Sequence, residues 1–176
     1  MPSKKPQPFI IALIGVVGAG KTHIARLLAH RLGAVRITTD DIRVQLRRHG
    51  KSLDSAPEIT RERSDVLLRR GRSLILDFDA VNPLRRQELR RRARHFGARL
   101  YCIAVQAPQR LILARLRQKR YTPSDLFRDA AEATRAYFIR KKFRKKFRRF
   151  PPSFTIDNSQ PLEPQINQVV REITGL

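Results

Sequence analysis

Residues 15–22 read Gly-Val-Val-Gly-Ala-Gly-Lys-Thr, the spacing G-x-x-x-x-G-K-[ST]. Immediately before them runs an unbroken apolar stretch, Phe9-Ile-Ile-Ala-Leu-Ile14. After them apolar residues recur at helical spacing (Ile24, Leu27, Leu28) until Gly33, a helix stop. A run that is apolar at every position belongs to a strand covered on both faces, hence to a parallel sheet between helices. Glycines let the backbone between strand and helix curl until successive N–H groups point at one centre. The helix N-terminus adds partial positive charge there, so strand, loop and helix together form a cradle for a phosphate.

The rest of the chain repeats the alternation. Short strands are expected at 34–37, 73–77, 100–105 and 154–156, and helices at 40–49, 58–70, 84–96, 108–118, 124–149 and 162–173. This predicts an α/β domain of the P-loop NTPase fold, a five-stranded parallel sheet sandwiched by helices with a short arginine-bearing lid. With 176 residues there is room for one domain. We expect it to span 9–176, with the lid at about 115–124 and a disordered basic tail over 1–8 that carries Lys4 and Lys5.

Composition limits the setting. No stretch reaches the length of a membrane span, and one cysteine, Cys102, leaves no intramolecular disulfide to form. Cys102 lies in a strand and is expected in the core. A soluble, cytoplasmic protein is the expectation. The four histidines, His23, His30, His49 and His95, show no metal-ligand spacing. Lysine and arginine total 38 against 15 acids, a net charge of +23, which favours polyanions. The most polarised segment, Tyr137 to Phe150, places Phe143, Phe147 and Phe150 on one stripe that should pack in the core. Its cationic face, with the second basic face offered by Arg85 to Arg99, is then available to RNA or DNA.

The chemistry-bearing residues follow from position. In the loop, Gly15, Gly18, Ala19, Gly20 and His23 frame the phosphates, Lys21 bridges the β- and γ-phosphates of a nucleotide, and Thr22 ligates Mg²⁺. Asp77 ends the third strand at the carboxyl edge of the sheet, where it can hold a metal-bound water beside Thr22; Asp79 is a second candidate. Asp40 and Arg43 stand three apart on a first helical turn after the second strand. The carboxylate can take a proton from an attacking hydroxyl, and the guanidinium can grip an anionic group on the acceptor. One of Arg115, Arg117 and Arg120 is placed to stabilise charge on a phosphoryl group in transfer.

The chain has no N-K-x-D of a GTPase and no L-S-G-G-Q of a transporter ATPase, and its length argues against an AAA+ module with a helical lid domain. Small kinases remain. The chain resembles the small P-loop kinases that include polynucleotide 5′-hydroxyl kinases and are related to zeta-toxin kinases, along nearly its whole length. The resemblance is carried by Gly15 to Thr22, by Thr39-Asp40-Asp41-Ile42-Arg43, and by Leu74-Ile-Leu-Asp77 followed by Asn82-Pro83-Leu84-Arg85-Arg86. It extends to Arg115–Arg120 at the lid and to Phe154-Thr-Ile-Asp-Asn-Ser159, the last strand with the loop near the adenine. It departs at Val16-Val17, at Asp79 and in the shortness of the lid. What it implies is ATP-dependent, Mg²⁺-assisted transfer of the γ-phosphoryl group to a hydroxyl, with Asp40 as base, Arg43 as acceptor clamp, Arg115 or Arg120 as lid arginine and Asn158 near the nucleotide. The 5′-hydroxyl of RNA or DNA is the leading acceptor. A nucleoside or small-metabolite kinase, or a nucleic-acid-binding NTPase with no acceptor, is the alternative.

Overall fold

The computed structural model describes residues 7–145 and 151–175. Of the expected tail, residues 1–6, with Lys4 and Lys5, lie outside the described residues. Gln7 and Pro8 are held to the sheet, Gln7 Nε2 donating to the Gly97 carbonyl at 2.9 Å and the Pro8 carbonyl accepting from Arg99 N at 2.9 Å.

The described chain runs β1 (Phe9–Ile14), α1 (Lys21–Leu32), β2 (Val35–Ile37), α2 (Thr39–Arg48), α3 (Ala56–Arg69), β3 (Leu74–Leu76) and α4 (Pro83–His95). It continues with β4 (Arg99–Gln106), α5 (Gln109–Gln118), α6 (Ala130–Arg144), β5 (Phe154–Asp157) and α7 (Leu162–Thr174). The strands form one five-stranded, all-parallel sheet in the order β2-β3-β1-β4-β5. This is the P-loop NTPase-like fold expected from the sequence.

Burial explains the apolar runs. In β1, Ile11 and Leu13 face one core, against Ile24 and Leu28 of α1, Ile112 and Leu116 of α5, Tyr137 of α6 and Ile166 of α7. Ile10, Ala12 and Ile14 face a second core, with Leu68 of α3, Leu89 and Ala93 of α4, and Cys102, which is buried as expected. Because β1 goes on to β2 on one side while β4 lies on the other, the chain reverses direction across the sheet beside β1. In open α/β sheets such a point opens a crevice at the carboxyl ends of the strands.

Two stretches differ from the sequence reading. The segment expected as loop before α3 contains a 3₁₀ turn at Leu53–Ser55, capped by the Ser52 hydroxyl accepting from Asp54 N, and α3 begins at Ala56 with Pro57 tolerated in its first turn. The helix expected from 124 starts at Ala130 instead. Asp129 caps it by accepting from Glu132 N at 2.7 Å, while Glu132 accepts from Arg128 N, and residues before Asp129 stay irregular. Of the phenylalanine stripe, Phe143 packs against the second core; Phe147 and Phe150 lie outside the described residues. Among the described residues no helix is long and apolar enough to cross a membrane.

Candidate active site

The loop between β1 and α1 takes its shape from close approaches. Gly20 has φ 98°, and a Cβ there would stand 1.9 Å from the side-chain nitrogen of Asn158. A Cβ on Gly15 would come within 2.7 Å of the Val105 carbonyl of β4. Neither position can carry a side chain without displacing the loop. Asn158, just past β5, completes the loop from outside. Its Nδ2 donates to the Ala19 carbonyl at 2.8 Å, and its own carbonyl accepts from Arg115 Nη2 at 2.8 Å.

Lys21 opens α1 and folds back over the loop, Nζ donating to the carbonyls of Gly15 at 2.8 Å and Val16 at 3.1 Å. Burial pushes its pKa down from the ordinary lysine value, against the pull of nearby Asp79, Asp77 and Asp40. Thr22 is exposed on the cavity wall, whereas His23 is exposed outside it.

Asp77 directly follows β3 and is buried, its carboxylate 2.9 Å from Arg36 Nη1. Asp79 accepts from Gly15 N at 3.3 Å through Oδ1; its Oδ2 is buried and meets no hydrogen-bond donor among the described residues. An orphaned carboxylate oxygen beside a phosphate cradle is costly unless a cation or water joins it. Thr22, Asp77 and Asp79 supply oxygen donors only, which suits Mg²⁺, an ion usually held by one or two carboxylates together with substrate phosphates. Among the described residues no group of three or more His, Cys, Asp or Glu side chains is placed to hold a metal without such help.

Across the cavity, the Thr38 hydroxyl caps α2 by accepting from Asp40 N at 3.2 Å. Arg43 Nη1 donates to Asp40 Oδ1 at 3.0 Å, one turn along. The Asp40 carboxylate opens into the cavity, yet the protein around it takes away enough water to raise its pKa, with Arg43 opposing. The cavity holds about 800 Å³ and is lined by Gly15, Gly20, Lys21, Thr22, Asp40, Arg43, Asp77 and Asp79, so loop, strand-end acids and α2 share one chamber.

The lid arginines part company. Arg115 is tied to the Asn158 carbonyl and its Nη1 is buried without a partner among the described residues, while Arg117 and Arg120 are exposed and off the cavity wall. Lys119 and Tyr121 line the cavity in their place, with Lys119 ion-paired to Asp125. Arg47 of α2 fastens the segment after α5, donating to the carbonyls of Asp125 at 2.7 Å, Leu126 at 3.1 Å and Pro123 at 3.2 Å. Sequence reasoning passed over Arg36, Arg47, Lys119 and Arg140. In a chain with 38 basic residues a lone arginine carries no local signal.

Comparison with known proteins agrees with this geometry. The profile of a family described as an AAA domain matches residues 10–141. A UPF0200 protein of Aeropyrum pernix is 30% identical over 139 residues, 69% of this chain and 71% of the relative. Among solved structures, a putative kinase of Chloroflexus aurantiacus is 18% identical with a TM-score of 0.68, covering 96% of this chain and 98% of its own. A gluconokinase of Sinorhizobium meliloti is 17% identical with a TM-score of 0.60, covering 96% and 93%. The family carries the AAA description, whereas the length argument concerned a module with a helical lid domain of its own. The matched segment lies within the P-loop domain, and no separate helical domain follows it among the described residues.

Proposed function

The chain belongs to the family described as an AAA domain, and from that premise we propose that it is an ATP-dependent kinase acting on a hydroxyl of a small metabolite. The observation that carries this reading is the shared chamber: a phosphate loop on one wall and a carboxylate of raised proton affinity, Asp40, on the other. The likeness to a putative kinase supports phosphoryl transfer, and the likeness to a gluconokinase supports a small-molecule acceptor. They favour it over the 5′-hydroxyl of RNA or DNA to which the resemblance first pointed. So does the segment that Arg47 fastens to α2, since Asp125 and Leu126 of that segment line the chamber.

In this reading the loop N–H groups and Lys21 bind the phosphates, with Lys21 giving up a carbonyl of its own loop to reach them. Thr22, Asp77 and Asp79 are the residues that would hold Mg²⁺, which when bound would neutralise phosphate charge. Asp40 receives the proton of the attacking hydroxyl at a carboxylate oxygen, and Arg43 keeps that carboxylate turned into the chamber. Arg115 acts on the loop through Asn158; Arg120 reaches the site only if the lid moves.

The test is transfer of labelled γ-phosphate from ATP with Mg²⁺ to sugars, sugar acids, nucleosides and 5′-hydroxyl oligonucleotides, with Lys21→Ala as the blank. Asp40→Asn should bind ATP and lose transfer. Label confined to oligonucleotides would replace the small-metabolite reading by the polynucleotide one. Slow hydrolysis indifferent to every acceptor would remove the kinase.

A further inference from the structure

The acceptor half of the chamber carries more positive charge than the chemistry above uses. Arg85, in the first turn of α4, lies over the Phe78 ring with its guanidinium carbon 4.8 Å from the centroid. Arg140 of α6 lines the same chamber, as does Arg43 of α2. Both stand close enough to Arg85 to repel it. Burial, more than either of them, disfavours the charge on Arg85, while Glu88, the strongest of its charged neighbours, and Asp79 favour it. Among the described residues neither Arg85 nor Arg140 has a carboxylate at ion-pair distance or an acceptor at hydrogen-bond distance.

Like charges gathered on a half-enclosed wall repel, and the repulsion is relieved when an anion sits between them. Stacking on Phe78 fixes the plane of the Arg85 guanidinium, whose paired N–H groups match two oxygens of a carboxylate, phosphate or sulfate. Arg43 is already engaged by Asp40, so of these three arginines it is Arg85 and Arg140, neither ion-paired among the described residues, that an incoming anion meets. We propose that Arg85 and Arg140 form an anion subsite at the acceptor end of the chamber, so that the acceptor bears a carboxylate, phosphate or sulfate besides the hydroxyl it presents to Asp40. The hydroxyl half of that statement rests on the kinase reading; the anion half does not.

The experiment titrates inorganic phosphate into the full chain already saturated with Mg²⁺ and a non-hydrolysable ATP analogue, so that the phosphate loop is occupied. Saturable binding is expected, weakened about 10- to 100-fold in Arg85→Gln/Arg140→Gln. It should stay unchanged in Arg91→Gln/Arg94→Gln, which removes the same charge from the exposed face of α4. Arg140→Gln alone, at an exposed position, should show part of the loss and guards against a fold defect at Arg85. Gluconate and glucose 6-phosphate should displace the phosphate and glucose should not, the two charged competitors separating a carboxylate from a phosphate preference. No phosphate binding to the loaded protein, or equal binding by both double variants, overturns the subsite. If binding follows Arg85 and Arg140 while no acceptor is ever labelled, the subsite stands and the kinase reading falls.

Discussion

Arg36 Nη1 and the Asp77 carboxylate lie 2.9 Å apart, joining the outermost strand β2 to the acid at the end of β3. The other end of the same guanidinium meets Asp41 of α2 at 2.8 Å. One side chain therefore couples the acid expected to face the metal with the helix that carries Asp40.

Removing Arg36 leaves Asp77, whose side chain is 3% exposed, without its counter-charge. Arg36→Ala should cost about 1–3 kcal/mol, less than the roughly 3–5 kcal/mol for breaking a fully buried pair because Arg36 itself touches water. Asp41→Asn, on the exposed side, should cost less than about 1 kcal/mol. Urea unfolding of the two variants measures both, and equal losses would show that the buried half of the bridge carries no special weight.

The Asp40 carboxylate must be ionised to accept a proton, so transfer should fall as pH drops through its pKa. Burial raises that pKa above the ordinary 3.8, which places the acid limb of the rate profile at higher pH than for a solvated aspartate. Arg43 lowers it, so Arg43→Gln should move the limb to still higher pH. The pH dependence of kcat for the two proteins checks the sign; a shift toward lower pH in the variant would mean that another group titrates.

Gly20→Ala sets a methyl group against the Asn158 amide in a backbone region that costs a non-glycine residue about 1–2 kcal/mol. ATP-analogue affinity should drop about 5- to 30-fold on that strain alone. Adding Asn158→Ala removes the collision but not the strain, so affinity should recover only in part. Calorimetry on the three proteins separates the terms, and full recovery would assign the whole loss to the collision.

A net charge of +23 should give binding to heparin or RNA whose affinity falls steeply with salt. Lys21→Ala should leave that binding almost unchanged, because one buried cation adds little to a surface field. Fluorescence anisotropy at several ionic strengths tests it. A large loss in Lys21→Ala would bring the polyanion into the chamber and revive a polynucleotide acceptor.

The start of the fold was legible because strand, glycines and helix each leave a local pattern, and the four later strands showed as short apolar runs between turn signals. Strand order was not, since nothing local in Leu74–Leu76 says that β3, rather than β2, lies beside β1. At the site, the spacing of Asp40 and Arg43 suggested a shared face, and they meet at 3.0 Å. Arg115 was singled out as a lid arginine, but its contact with Asn158 spans 43 residues and no periodicity announces it. Arg85, Arg140 and Lys119 reach one chamber from three helical regions, a convergence that only folding creates.

Ala19 and Asn158 are 139 residues apart, and the hydrogen bond between them closes the phosphate loop from behind. A nascent chain therefore displays its eight-residue motif early yet cannot finish the cradle until β5 has emerged and added itself to the edge of β4. Synthesis leaves a long interval in which a sticky, half-built sheet is present without a competent nucleotide pocket. ATP, by gripping only the finished loop, would then act as a fastener for the last step of maturation, favouring chains in which the late strand has docked.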